Sequence, residues 1–157
     1  MKKYVKIVLL YTLLTFLLDI LNGISELLFG FSFPFEGEEV KGWSLSTIFL
    51  MTVILAPLLE TAIYQTFFFV GLMNSRFFNK HRILIVFITA ILFGLSHYYT
   101  LQYVFFAMYG GFVLSYAYIK ILYMSNDNHT YATFTVVVIH CLRNLIAFLL
   151  DDVIFAK

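Results

Sequence analysis

A few strongly polar side chains interrupt the longest apolar stretches of this sequence. They are Glu60, Gln65, His97, His140, Arg143 and Asn144. An ionised group near the centre of a bilayer costs at least about 2.5 to 3.5 kcal/mol on insertion scales, so such residues usually face the interior of a helix bundle and mark a functional path. Each could instead be structural, since a buried histidine is often simply hydrogen-bonded and Asn144 could join two helices. Their relative positions therefore decide between the two interpretations.

The spacing of these residues predicts that four of them converge. Glu60 and His97 lie on successive apolar stretches, and the midpoint of their numbers falls within the basic turn at 74–82, so two antiparallel helices would hold them at nearly the same depth. His140 and Asn144 are four residues apart, which places both on one face of a helix. His140 lies about nine residues into its own stretch, so at about 1.5 Å per residue it reaches the same level.

A carboxylate, two imidazoles and a carboxamide within one apolar cavity could activate water and hold an oxyanion. The same carboxylate and imidazoles, from Glu60, His97 and His140, are also the ligand types of a zinc shell with an open fourth position. Their spacing is not the HExxH pattern of a soluble zincin. The pattern of residues alone therefore leaves the use of a metal open.

The composition shows which environment must hold these residues. The 157 residues are 62% hydrophobic and only 12% charged, against roughly 25% charged residues in an ordinary soluble domain. The 10 basic and 9 acidic residues nearly cancel and lie in short clusters, which offers no electrostatic footprint for nucleic acid. These features exclude a soluble globular domain and a nucleic-acid partner, and they indicate an integral membrane protein.

The apolar stretches predict an all-α, polytopic transmembrane helix bundle of about five spans. The predicted spans run over residues 4–21, 44–73, 83–99, 101–124 and 131–150. Pro57 predicts a local kink in the second span. We interpret 1–157 as a single membrane domain, in which 1–42 hold the first span and an acidic, aromatic external loop beginning at Gly23, and 43–150 hold the core with the polar residues.

Lysines and arginines cluster on one side of the predicted bundle. They are Lys2, Lys3 and Lys6 before the first span, Arg76, Lys80 and Arg82 between the second and third, and Lys120 near the end of the fourth. The acidic residues Glu36, Glu38, Glu39, Asp151 and Asp152 fall on the opposite side. The positive-inside rule then predicts a cytoplasmic N-terminus and an external C-terminus. The expected location is the bacterial cell membrane, in which the protein would be multi-pass.

Three short motifs on these spans follow one another in the order found in a known family. They are APLLETAIYQ at 56–65, FGLSH at 93–97 and HCLRN at 140–144. The sequence resembles the CAAX protease and bacteriocin-processing (CPBP, or Abi) family of intramembrane proteases, which includes the type II CAAX prenyl endopeptidases. In that family the motifs are a double glutamate followed by an arginine, FxxxH, and HxxxN. The resemblance covers about 43–150.

The resemblance implies hydrolysis of a peptide bond in a membrane-associated protein or peptide, which would be the partner besides the lipid bilayer. Glu60 and His97 resemble the pair that activates the attacking water, and His140 and Asn144 resemble the pair that stabilises the oxyanion. Family names include metalloprotease, while a glutamate mechanism without metal is also described. Zinc held by Glu60, His97 and His140 therefore stays an alternative, and no other cofactor is expected.

Two positions of the first motif depart from the family pattern. Thr61 stands in place of the second glutamate and Gln65 in place of the arginine. These positions are one helical turn apart, so the Thr and Gln pair keeps a possible hydrogen bond while removing two charges. The alternative function is a non-catalytic peptide-binding membrane protein, such as a bacteriocin self-immunity protein or a regulatory pseudoprotease. Arg143 is expected to be a helix-packing or interface group.

Overall fold

The computed structural model describes residues 2–29 and 42–150. The helices in these two ranges are α1 (Lys2–Thr15), α2 (Leu17–Phe29), α3 (Leu45–Met73), α4 (Arg76–Lys80), α5 (Arg82–Leu95), α6 (Leu101–Met124) and α7 (His129–Phe148). All the regular structure in the described ranges is helical, which confirms the predicted all-α bundle. The acidic residues Glu36, Glu38, Glu39, Asp151 and Asp152 lie outside the described residues, and the orientation in the membrane stays a prediction.

Four stretches are long and apolar enough to cross a membrane, namely Lys3–Phe29, α3, α6 and α7. The third predicted span is shorter than expected, because α5 has 14 residues and ends at Leu95. At 1.5 Å per residue it is about 21 Å long, less than the roughly 30 Å of the hydrocarbon core. The chain turns at Ser96, whose hydroxyl donates to the Phe93 carbonyl at 2.7 Å. His97 therefore lies just beyond a helix end.

The predicted loop from Gly23 onward is wrong for residues 23–29, which continue α2. Gly23 costs about 1 kcal/mol in a helix, but the chain that follows it is apolar. Leu27, Leu28 and Phe29 are exposed on the surface of α2. In lipid, exposed apolar side chains carry no penalty, whereas a backbone without internal hydrogen bonds does, so the helix continues.

Helix α3 changes its hydrogen-bond pattern around Pro57. The segments Phe49–Leu55 and Thr61–Phe67 are π-helical, and Ala56–Glu60 between them is α-helical. The N–H of Ala56 donates to the carbonyl of Met51, five residues earlier. A proline ring clashes with the carbonyl of the preceding turn, and the wider π turn relieves that clash. The perturbation predicted at Pro57 is thus a change of helical register immediately before Glu60.

Helices α5 and α6 pack closely through small residues. A Cβ added at Gly94 would lie 2.8 Å from the Val104 carbonyl oxygen, and one added at Gly111 would lie 2.9 Å from the Phe93 Cβ. Thr89 on α5 donates a hydrogen bond to the Ser115 hydroxyl on α6 at 2.9 Å. This close contact fixes the position of α5, and therefore of His97, against the rest of the bundle.

The turn between α6 and α7 makes contacts that stabilise this end of the bundle. Asn126 and Asp127 both have a positive φ there, a conformation that Asn and Asp adopt more readily than most residues. The Asp127 carboxylate accepts two hydrogen bonds from the Arg82 guanidinium, at 2.7 and 3.3 Å. Nearby, the buried Tyr118 hydroxyl lies 2.9 Å from Nδ1 of His129. These contacts join the beginning of α5 to the turn after α6, and the beginning of α7 to α6.

Candidate active site

Glu60 ends the α-helical segment of α3 and lies between two imidazoles. Its Oε1 is 3.7 Å from Nε2 of His97, and its Oε2 is 3.6 Å from Nε2 of His140. The side chains keep 25%, 17% and 7% of their surface exposed, in the order Glu60, His97 and His140. The three helices α3, α5 and α7 thus bring one carboxylate and two rings to the same depth, as the spacing predicts.

His97 is oriented by the backbone of α5. Its Nδ1 lies 2.7 Å from the Phe93 carbonyl oxygen, which can only accept a hydrogen bond. Nδ1 must therefore carry the proton, and in the neutral ring Nε2 is then an acceptor directed at Glu60. The FxxxH spacing explains this contact, because it places the Phe93 carbonyl one helical turn before the His97 ring.

His140 is oriented by Thr61, one of the two residues that depart from the family pattern. The Thr61 hydroxyl lies 3.4 Å from Nδ1 of His140, and the Thr61 side chain is fully buried. The hydrogen bond that Thr61 and Gln65 could share is not formed. The Gln65 amide is also fully buried, and its nitrogen and oxygen have no hydrogen-bond partner among the described residues.

Asn144 binds the backbone of α3. Its Nδ2 donates to the Thr52 carbonyl at 2.8 Å. That carbonyl has no donor from its own helix, because the Ala56 N–H is bonded to Met51 and Pro57 has no N–H. One of the two Nδ2 hydrogens of Asn144 therefore satisfies a carbonyl that the proline has left without a partner.

All four predicted site residues line one cavity of about 520 Å³. Aromatic rings form much of its wall, namely Phe93, Tyr99, Tyr103, Phe106 and Phe148. A cavity of this size, apolar with a few convergent polar groups, is typical of a site for a small ligand or a short peptide segment. The convergence predicted for Glu60, His97, His140 and Asn144 is thus present, and their chemical roles stay predictions.

The family model of the type II CAAX prenyl endopeptidase Rce1-like proteins matches residues 42–146, well over half of the 157 residues. The chain belongs to the Rce1-like family. Membership agrees with the resemblance to the CPBP family and, with the apolar helices, indicates an integral membrane protein of the CAAX protease type. No curated protein and no solved structure matches the chain.

The Rce1-like region does not include α1 and α2, yet α1 reaches the cavity and α2 contacts a residue that lines it. Thr15, at the end of α1, lines it. Asp19, on α2, has its Oδ1 3.8 Å from the Arg143 guanidinium, and Arg143 also lines the cavity. The sequence predicts a packing or interface role for Arg143 and no site role for Asp19. The available signal was Asp19 itself, an ionisable residue in an apolar stretch.

The use of zinc by Glu60, His97 and His140 stays a prediction. Among the residues 2–29 and 42–150, no group of three or more His, Cys, Asp or Glu side chains could hold a metal ion. In the predicted set, each imidazole approaches its own carboxylate oxygen of Glu60. Zinc bound by Glu60, His97 and His140 stays an alternative.

Proposed function

We propose that this Rce1-like protein is an intramembrane endopeptidase that hydrolyses a peptide bond in a membrane-associated protein or peptide. The observation that carries the proposal is the Glu60 carboxylate between the Nε2 atoms of His97 and His140, in a cavity of about 520 Å³. The 3.6 and 3.7 Å separations exceed direct hydrogen bonds. Catalytic contacts are often long in a free enzyme and tighten when substrate binds.

The two histidines support complementary roles because their Nδ1 atoms have different partners. His97 donates from Nδ1 to the Phe93 carbonyl, so its Nε2 can accept a hydrogen bond from the attacking water. His140 can accept from the Thr61 hydroxyl at Nδ1, which leaves the proton on Nε2. His140 is then a donor for the oxyanion. In this tautomer the Thr61 hydroxyl is the donor, and Thr61 acts as a positioning residue for the His140 ring.

The proposed reaction is general-base hydrolysis. Glu60 takes a proton from water as the water oxygen forms a bond to the peptide carbonyl carbon. The tetrahedral intermediate carries its negative charge near Nε2–H of His140, and the second Nδ2 hydrogen of Asn144 is available for the same oxyanion. The C–N bond then breaks as Glu60 returns the proton to the departing nitrogen, which gives a carboxylic acid and an amine.

The family name supports a prenylated peptide with a CAAX ending as the first substrate to test. Purified protein in lipid nanodiscs would be assayed with such a peptide carrying a fluorophore and a quencher. We expect Glu60→Gln and His97→Ala to lower turnover by about 10²- to 10⁴-fold while peptide binding persists. His81→Ala is the matched control, since His81 lies in the turn before α5, outside the cavity. Undiminished turnover in both site variants would refute the proposal.

Metal use is tested in the same assay. Because the proposed steps involve only side chains, we expect turnover to survive treatment with a strong zinc chelator. Loss of turnover that is restored specifically by added zinc would instead support the metalloprotease alternative, with Glu60, His97 and His140 as ligands.

A non-catalytic peptide-binding role is the second candidate, as for a bacteriocin self-immunity or regulatory protein. It is favoured by the first motif, in which the Gln65 amide, at the place of the family arginine, is buried with no hydrogen-bond partner in the ranges 2–29 and 42–150. Under this alternative, Glu60→Gln would leave the biological effect of the protein unchanged. Under the endopeptidase proposal, the same variant retains peptide binding and loses the effect.

A further inference from the structure

Arg143 has unusual surroundings for a charged residue in an apolar bundle. It lies on α7 between His140 and Asn144, and its side chain is 23% exposed and lines the cavity. Its guanidinium carbon is 5.5 Å from the centre of the Phe16 ring and 5.6 Å from that of Phe106. The two rings hold the guanidinium by cation–π contacts but use none of its N–H donors in the plane.

Asp19, the ionic partner of Arg143, lies too far away to use the N–H donors of the guanidinium. Asp19 Oδ1 is 3.8 Å from Nη2, which is beyond hydrogen-bond range. Among the described residues, no hydrogen bond involves the Arg143 guanidinium, which offers five N–H donors in a fork that matches a carboxylate. Asp19 therefore partly neutralises the charge of the Arg143 guanidinium but makes no directional hydrogen bond to it.

We propose that Arg143 binds a carboxylate of the substrate and so determines substrate specificity. This inference rests on the proposed function, since it concerns the peptide bound in the same cavity. Arg143 follows His140 by three residues, about 4.5 Å along the helix axis. An extended peptide advances about 3.3 to 3.6 Å per residue. The recognised carboxylate therefore lies within a few residues of the bond opposite Glu60.

The carboxylate could be the C-terminal group of the peptide or the side chain of an Asp or Glu close to the cleaved bond. Either would replace the loose contact to Asp19 with two parallel hydrogen bonds to the guanidinium. Asp19 comes from α2, outside the region matched by the Rce1-like family. Its negative charge would compete with the substrate carboxylate, so the added N-terminal helices tune the specificity of the cavity.

The test uses three peptides of one sequence in the full-length protein. One has a free C-terminal carboxylate, one has a C-terminal amide, and one has the amide and a glutamate near the cleaved bond. In the wild type, we expect a lower KM for one or both carboxylate peptides than for the amide. Arg143→Gln should raise the KM for the preferred carboxylate peptide by about tenfold or more relative to its effect on the KM for the amide peptide.

Matched variants separate recognition from folding and from net charge. Arg143→Lys keeps the charge but lacks the fork and should have an intermediate effect. Asp19→Asn removes the competing charge and should lower the KM for the carboxylate peptide. Lys120→Gln removes one positive charge on α6, outside the cavity, and should leave all three KM values unchanged. An equal KM for acid and amide peptides in the wild type, or equal effects of Arg143→Gln on both, would overturn the inference.

Binding measured without turnover keeps the inference and the proposed function distinct. Fluorescence anisotropy with Glu60→Gln protein would compare the acid and amide peptides, with and without Arg143→Gln. A preference for the acid that disappears with Arg143→Gln supports the inference even if no peptide is cleaved, in which case the proposed function fails alone. Cleavage without any preference for a carboxylate leaves the proposed function intact and refutes the inference.

Discussion

Asn144 donates a hydrogen bond to the Thr52 carbonyl, so its structural role can be measured separately from any catalytic role. Asn144→Ala leaves that carbonyl without a donor, because Pro57 cannot supply an N–H and the Ala56 N–H is bonded to Met51. An unsatisfied buried polar group costs about 1 to 3 kcal/mol. Hydrogen bonds between membrane helices average about 0.6 and reach about 1.7 kcal/mol. We therefore expect Asn144→Ala to lower the free energy of unfolding by about 1 to 2 kcal/mol.

Pro57→Ala supplies the second arm of a double-mutant cycle. It introduces an N–H at position 57, which reaches the Thr52 carbonyl in the π register. If the segment returns to the α register, the Ala56 N–H reaches it instead. In that background Asn144→Ala should cost less than about 0.5 kcal/mol, which gives a coupling energy of about 1 kcal/mol. Reversible unfolding in mixed micelles with increasing denaturing detergent measures all four variants.

Turnover of the same four proteins tests the role implied by the family. Removal of one oxyanion donor costs about 2.7 to 4 kcal/mol of transition-state stabilisation, or about 10²- to 10³-fold in rate. If Asn144 also serves the oxyanion, its loss lowers turnover equally in both backgrounds, although stability is affected only in one. An equal loss of stability in the two backgrounds would refute the explanation based on the proline.

Three further predictions concern packing, the first motif and the loop after α6. Gly94→Ala should destabilise the protein by about 1 to 3 kcal/mol by thermal unfolding, because its Cβ would meet the backbone of α6, whereas Gly110→Ala, with open space around it, should be nearly neutral. Thr61→Glu and Gln65→Arg should each reduce the yield of membrane-inserted protein more than the double variant, because a single change leaves a lone charge; equal yields would contradict this. The Arg82 hydrogen bonds hold the pKa of Asp127 below its usual value, so this exposed pair contributes stability above about pH 4 that is lost as pH falls through the lowered pKa. Asp127→Asn should accordingly cost no more than about 1 kcal/mol at pH 7 and nothing in strong acid, as measured by unfolding across pH.

Much of the site could be predicted because helical geometry is a local property. An α-helix rises 1.5 Å per residue, so counting residues from the turn at 74–82 predicts that Glu60, His97 and His140 lie at the same depth in the bundle. The contacts of 3.7 and 3.6 Å agree with that estimate. The helical class of the bundle followed from the same cause, since long apolar stretches can cross lipid only with their backbone groups paired internally.

The lengths of the helices were harder to predict from the sequence. The apolar stretch at 83–99 continues past Leu95, where α5 ends, because the turn at Ser96 and His97 is stabilised by contacts to the Phe93 carbonyl. Composition also could not distinguish two adjacent glycines on α6. Gly111 contacts Phe93, while Gly110 has no such neighbour, since the rotation of one helix against another depends on all the side chains between them.

The sequence by itself therefore determined the membrane environment, the helical class, the family motifs and the meeting of four polar residues, because each of these depends on composition or on spacing along one helix. Only the tertiary structure decided how those residues are held. The Thr52 carbonyl became the partner of Asn144 through the register of α3, and Thr61 became the partner of His140. Arg143 and Asp19, far apart in sequence, lie together because α1 packs against α7 and leads directly into α2. Backbone register, helix rotation and contacts between distant segments arise from packing of the whole bundle, which no local pattern encodes.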